Sequence, residues 1–178
     1  EDGAKKSERK FTNGERDSLW TSWFPNPYNN KKLQATYANG KLNGSWISWY
    51  NAGIVKEKTG HYADNKMDKK WTYWADNGQK TKEVGWEKGI MQGQYLEWNS
   101  ENYKVIEGEY DQGEKHGQWT KRYDDGTLER QENYINGKMD GQLIKWNSEG
   151  VKTEEGSYKA GVKHGIWTTW NNAKFKKN

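Results

Sequence analysis

The residues that could do acid–base or metal chemistry here are three histidines and 25 carboxylates. His116 and His164 each stand in a Lys-His-Gly segment, and their equivalents elsewhere in the chain are Asp17, Asn43, Asp68, Gln92 and Asp140. A position that accepts His, Asp, Asn and Gln alike reads as a polar turn column. His61 has no partner at metal-ligand spacing. The carboxylates occur singly at alternating positions, as on a solvated strand face, and form no general acid–base pair. There is no cysteine, hence no thiol nucleophile, disulfide framework or thiolate metal site. The glycines recur with the turns and cradle no phosphate. The chain is therefore expected to be non-enzymatic, with no metal and no cofactor.

The remaining chemistry is aromatic. Trp23, Trp49, Trp74, Trp98, Arg122, Trp146 and Trp170 form one column, and an exposed row of such rings at about 10 Å spacing, two strand separations, would bind an extended peptide or a glycan chain. They are the candidate binding residues. Burial of the row by sheet curl, by the Phe24–Lys32 insertion or by a second copy is the competing reading. Arg122 fits the column only where its charge reaches water or lies on a neighbouring ring.

The elements that would position this row follow from an internal repeat. Aromatics precede an Asn-Gly-like turn at Phe11, Tyr37, Tyr62, Trp86, Tyr110, Tyr134 and Tyr158, with gaps of 26, 25 and then 24 residues. Nine residues after each comes Trp20, Trp46, Trp71, Tyr95, Trp119, Leu143 or Trp167, and three further on the candidate column. These three columns hold all 12 tryptophans. Glycines keep step at Gly14, Gly40, Gly89, Gly113, Gly137 and Gly161, with Asn65 as the missing member. The segments carry β-type residues over strand lengths, and nothing reads as a helix. Asn77-Gly78 and Asp125-Gly126 predict two-residue type I′ hairpins. Centred there, the register sets Tyr95 opposite Gly108, Leu143 opposite Gly156, and Tyr110, Tyr134 and Tyr158 opposite Gly93, Gly117 and Gly141, each ring lying over a strand glycine. A second hairpin through Gly113-Glu114-Lys115-His116 pairs Tyr110 with Trp119.

The expected fold class is thus all-β: an elongated, twisted single antiparallel sheet of tandem β-hairpin repeats, about seven repeats of 24 residues and about 13–14 strands. Its boundaries are an N-terminal tail over 1–10, the array over 11–173 and a basic tail over 174–178. Residues three apart on a strand face opposite sides, so Trp46 and Trp49 separate unless a bulge intervenes. The Tyr37 and Trp46 columns, where every substitute is apolar, form the core face. The Trp49 column, with Glu83, Glu107 and Glu155 across the hairpin, forms the other. Such a core reconciles a mean hydropathy of −1.39 and only 21 Leu, Ile, Val and Phe residues with a folded chain, because 26 aromatics carry the burial.

The pattern Gly-x-Tyr-x-x-Gly-x-x-x-Gly-x-Trp, clearest over Gly108–Trp119, resembles the MORN repeat in the longer bacterial variant often labelled antitoxin-like; the likeness covers about residues 11–175 in seven in-phase copies. The resemblance implies a β-hairpin array acting as an interaction scaffold, with protein partners most common and lipid binding often proposed. Departures lie at Ser18 and Lys69, where the pattern has glycine, and at Arg122, where it has an aromatic. A second, weaker likeness is to the Trp-rich cell-wall-binding repeats that hold choline or glucan.

The expected partner is a protein, with a glycan or cell wall as the alternative, a lipid surface behind both, and homodimerisation through open edges or faces. Glutamates are as interleaved with the rings as lysines, and a net charge of +4 is small, so no nucleic-acid partner is expected. A chain starting at Glu1 without Met reads as a processed product, which favours an extracytoplasmic location over a cytoplasmic one.

Overall fold

The computed structural model describes residues 4–25, 27, 29–50 and 54–171. The strands are β1 (Ser7–Thr12), β2 (Glu15–Trp23), β3 (Lys31–Ala38), β4 (Lys41–Trp49), β5 (Lys56–Ala63), β6 (Lys66–Trp74) and β7 (Lys80–Glu87), followed by β8 (Ile90–Trp98), β9 (Lys104–Asp111), β10 (Glu114–Arg122), β11 (Leu128–Ile135), β12 (Lys138–Trp146), β13 (Lys152–Lys159) and β14 (Val162–Thr169). All fourteen belong to one antiparallel sheet whose strand order is the chain order, the tandem hairpin array that the repeat predicts. The chain divides into two compact units, Glu1–Gln92 and Gly93–Asn178. β1 begins at Ser7, so hairpin pairing reaches into the segment 1–10 expected as a tail. The basic tail 174–178 lies outside the described residues, as do Asn26 and Tyr28 of the insertion.

Two kinds of turn alternate, and they are not distributed as the sequence suggests. The two-residue turns with both residues at positive φ, the type I′ signature, are Asn13-Gly14, Asn39-Gly40, Asp64-Asn65, Lys88-Gly89, Gln112-Gly113, Asn136-Gly137 and Ala160-Gly161. Asn65, at φ 65°, does take the place of the missing glycine. At Asn77-Gly78 and Asp125-Gly126, where type I′ turns are predicted, only the glycine has positive φ. There the Gly78 amide donates to the Ala75 carbonyl at 3.0 Å and the Gly126 amide to the Tyr123 carbonyl at 2.9 Å. These are longer loops ending on a left-handed glycine. The extra residue is absorbed by a bulge at Tyr73/Trp74 and at Lys121/Arg122, so the predicted register survives the wrong turn type. Tyr95 pairs Gly108, Leu143 pairs Gly156 and Gly117 pairs Tyr134. The type I′ turns are tied together from repeat to repeat. Gly40, Asn65, Gly89, Gly137 and Gly161 donate their amides to the carbonyls of Arg16, Leu42, Met67, Lys115 and Met139 at 2.7–3.0 Å.

A second correction concerns β9 and β10. The turn there is Gln112-Gly113, so Tyr110 pairs Lys115 and not Trp119. The Tyr110 and Trp119 rings still meet edge to face, at 5.1 Å and 82°. The bulge that brings them together sits at Gly117, in a column (Ser18, Gly44, Lys69, Gly93, Gly117, Gly141, Gly165) whose every member has positive φ. No ring repairs Gly93 or Gly117; a Cβ there would meet nothing within 4 Å. These glycines serve backbone conformation. Ser18 and Lys69 adopt the same conformation with φ of 63° and 60°, and the pairing continues through both.

The glycines that serve packing are Gly60, Gly108 and Gly156, two repeats apart. A Cβ on them would lie 2.1, 2.3 and 2.2 Å from the indole of Trp71, Trp119 and Trp167 respectively. The ring over Gly108 is therefore that of Trp119, from the strand on the far side of its backbone partner Tyr95. In the first unit Trp71 packs on Trp46 at 5.5 Å and on Tyr62 at 5.0 Å, and is only 1% exposed. In the second, Trp119 packs on Tyr95 at 5.5 Å and is 4% exposed. Both indole N–H groups donate to strand carbonyls at 3.1 Å, of His61 and Glu109, which satisfies the polar end of each buried ring. The Tyr37 and Trp46 columns are the core face, as their all-apolar substitutes indicate.

Candidate functional site

The tryptophan column is positioned by the bulges at the long-loop ends of the hairpins. Each register shift falls on the column residue: Ser22/Trp23, Ser48/Trp49, Tyr73/Trp74, Glu97/Trp98, Lys121/Arg122 and Lys145/Trp146. The extra residue belongs to the following strand, so alternation along the tryptophan-bearing strand is kept. Trp49 therefore faces away from Trp46, and the row lies on the side opposite the aromatic core. The loops hold it in place. The Tyr50 hydroxyl donates to the Trp74 carbonyl at 2.7 Å and the Tyr123 hydroxyl to the Trp146 carbonyl at 3.0 Å.

Across the bulge five of the six tryptophans of the column, all but Trp170 after the last strand, pair with a lysine. Trp23 pairs Lys31, Trp49 pairs Lys56, Trp74 pairs Lys80, Trp98 pairs Lys104 and Trp146 pairs Lys152. At the repeat where the column carries Arg122, its partner is Leu128. The cation and the apolar group have changed strands, and each pair retains one of each. This was missed in the sequence because the lysine column becomes the tryptophans' partner only once the bulge sets the register.

Glutamates complete the lattice. Lys80 Nζ lies 2.7 Å and Lys70 Nζ 3.4 Å from Glu83, while Arg122 Nη2 lies 3.0 Å and Lys104 Nζ 3.4 Å from Glu107. Lys152 Nζ lies 2.7 Å from Glu155. Burial by itself would raise the carboxyls of Glu83 and Glu107, but these cations outweigh it and hold both below the usual range. Beside them run Thr72 and Thr120, both buried, and Leu96, at 7% exposure. Trp23, Trp49, Trp74, Trp98, Arg122 and Trp146 are all half-buried, and Trp170 is 41% exposed. The first unit thus presents Trp23, Trp49 and Trp74, and the second presents Trp98, Arg122, Trp146 and Trp170. Further cations lie on the outer rings: Lys5 Nζ is 4.8 Å from the Trp23 centroid and Lys152 Nζ 5.6 Å from that of Trp170. Ring faces bordered by ammonium and carboxylate groups can take apolar, hydrogen-bonding and charged parts of a ligand together.

The polar turn column behaves as its composition suggests. The carboxylate of Asp68 accepts from the Lys88 amide at 3.4 Å and that of Asp140 from the Ala160 amide at 2.9 Å. His116 and His164 are exposed members of the same column. His61 Nδ1 lies 3.8 Å from the Asp68 carboxylate. Among the described residues no three His, Asp or Glu side chains converge as a metal site would require.

One group on the core face departs from the repeat. Glu132 stands in the column of Ala35, Gly60, Val84, Gly108 and Gly156, and is 4% exposed. Its carboxylate lies 3.2 Å from Arg130 Nε and accepts from the Tyr134 hydroxyl at 2.8 Å. Burial, together with that hydrogen bond, pushes the Tyr134 phenol up to about 12. The signal was present in the sequence, as the one acidic residue in a column that is small or apolar except at Arg9. No protein-family model matches this chain, and no curated protein is significantly similar to it.

Proposed function

We propose that this chain is a non-enzymatic interaction scaffold of MORN-like hairpin repeats that binds a protein partner through the tryptophan–lysine–glutamate face. The observation that carries this reading is the exchange at Arg122 and Leu128. Such a cross-strand pair adds at most about 1 kcal/mol to the sheet, yet a cation and an apolar group are paired at all six bulges of the column. A surface that contacts a partner once per repeat does need both, in either order. The half-buried rings support it too, since each keeps part of its surface open to a partner while the rest is packed. Proteins offer such a surface apolar side chains for the rings, and backbone and charged groups for the lysine–glutamate pairs.

The test is capture of partners from the source cell with the intact chain and with a Trp74→Ala/Trp98→Ala variant. Loss of a specific protein, with unchanged circular dichroism, is the expected result. Retention of that protein by the variant contradicts the proposal. Loss of binding to an immobilised glycan, with no protein affected, replaces the protein partner by a carbohydrate.

A further inference from the structure

The core face of the second unit holds a cleft of about 170 Å³ lined by Tyr95, Tyr110, Trp119, Lys115, Arg130 and Glu132 among others. It lies on the side of the sheet opposite the tryptophan row. Its walls differ from the rest of the core at one residue, the buried Glu132. At the position of Lys115 four repeats carry Leu42, Met67, Met91 and Met139, while the first and last carry Arg16 and Lys163, which also lie over rings of their own repeats. The Lys115 ammonium lies 4.2 Å from the Trp119 centroid and 5.0 Å from that of Tyr134. Arg130 shares its column with Leu33, Lys58, Lys82, Ile106 and Glu154, whereas Glu132 is the one acidic member of a column that otherwise holds Arg9, Ala35, Gly60, Val84, Gly108 and Gly156. Three charged residues thus meet around one opening, and the acidic one is found there in no other repeat.

Their pairing leaves a surplus. Glu132 is committed to Arg130 and to the Tyr134 hydroxyl. The neighbouring Lys121 is committed to Glu129 at 2.8 Å. Among the described residues no carboxylate lies within ion-pair distance of Lys115, whose contacts are the two rings. Its ammonium is held below its ordinary pKa, first by burial and then by Arg130, against the opposing pull of Glu132. Lys115, Arg130 and Glu132 together carry one net positive charge. The cleft is close in size to an apolar cavity of about 150 Å³ that accepts benzene, and its rings meet at 5.1–5.5 Å in tilted and edge-to-face arrangements.

We infer that this cleft binds a one-ring aromatic monocarboxylate, with the ring against Tyr95 and Trp119 and the carboxylate at Lys115 and the outer nitrogens of Arg130. One negative charge completes the local balance, and one ring fills the volume. The carboxylate has two sources, a free small acid or the C-terminus of a chain ending in an aromatic residue. Titration calorimetry on the full chain tests this with benzoate, with a tetrapeptide ending in phenylalanine, and with benzamide as the uncharged analogue. Saturable binding of benzoate, at least tenfold tighter than benzamide, is the expected result. The tetrapeptide binding at least as well as benzoate supports the proposal with a protein C-terminus as the source; its failure beside benzoate binding supports it with a free acid. Lys115→Met places in this repeat the residue that three others already carry, so the fold should survive, and it should weaken benzoate at least tenfold. The proposal is overturned if neither acid binds, if benzamide binds as tightly as benzoate, or if Lys115→Met leaves the affinity unchanged. Because the tryptophan row is on the other side of the sheet, these outcomes are independent of the partner-capture experiment.

Discussion

The two faces of the sheet use the same residue type for different ends. On one, Trp71 and Trp119 are almost fully buried, each lying over a glycine and donating its indole N–H to a strand carbonyl. On the other, Trp74 and Trp146, three positions further along their strands or their repeat equivalents, are half-buried and set beside a lysine. The difference arises from what stands across the strand. A glycine beneath Trp71 and Trp119 lets the indole lie flat on the backbone, whereas the outer rings stand beside a lysine and stay half-buried. Aromatic content alone therefore does not say which rings hold a repeat protein together.

The comparison can be broken most severely at the core. Trp119→Ala removes a ring that packs on Tyr95 and Tyr110 and is expected to cost about 3–5 kcal/mol in urea unfolding. A loss below about 1 kcal/mol would mean that this face is not the core. Alkali comes next. Burial raises the phenols of Tyr62, Tyr73, Tyr95, Tyr110 and Tyr134 above the ordinary 10.0. The unfolded chain releases these protons first, so stability is full below pH 10 and is lost as pH rises towards 12. An alkaline titration followed by circular dichroism should show cooperative unfolding there rather than independent phenol ionisation.

The outer face should respond less. Trp74→Ala is expected to cost about 1 kcal/mol, since only part of the ring is withdrawn from water; a loss matching that of Trp119→Ala would erase the distinction between the faces. Arg122→Trp combined with Leu128→Lys restores the pairing of the other repeats. The double variant should unfold within about 0.5 kcal/mol of the native chain, with a coupling of about 0.2–1 kcal/mol in a double-mutant cycle. Zero coupling would show that the two residues are independent. The smallest effect is in acid. Glu83 and Glu107 are held below the ordinary 4.5, so their contribution is present above pH 4.5 and disappears as pH falls through the lowered values. Both are partly exposed, and the loss should be slight and reduced by salt.

Much of this was legible in the chain. A 24-residue period in turn glycines and aromatics is a statement about backbone geometry, and it carries over to structure because each hairpin repeats the same local conformations. Strand parity separated Trp46 from Trp49 correctly because the bulge falls on the neighbouring strand. The turn type at Asn77-Gly78 was misread for a related reason. A dipeptide signal cannot reveal that a bulge three residues away will lengthen the loop. The ring over Gly108 was assigned to its backbone partner Tyr95, since cross-strand pairing is visible from register whereas the lean of an indole is not.

The sequence by itself determined the repeat, the all-β class, the strand pairing and the apolar character of the core columns, because each depends on spacing along the chain. Tertiary structure decided which strand bears each bulge, which ring fills each glycine gap, and that the lysines come to lie beside the outer tryptophans. It also decided that Lys115, Arg130 and Glu132 meet around one cleft. Those are relations between side chains on different strands, and they exist only when pairing and pleat have fixed the direction in which each side chain points.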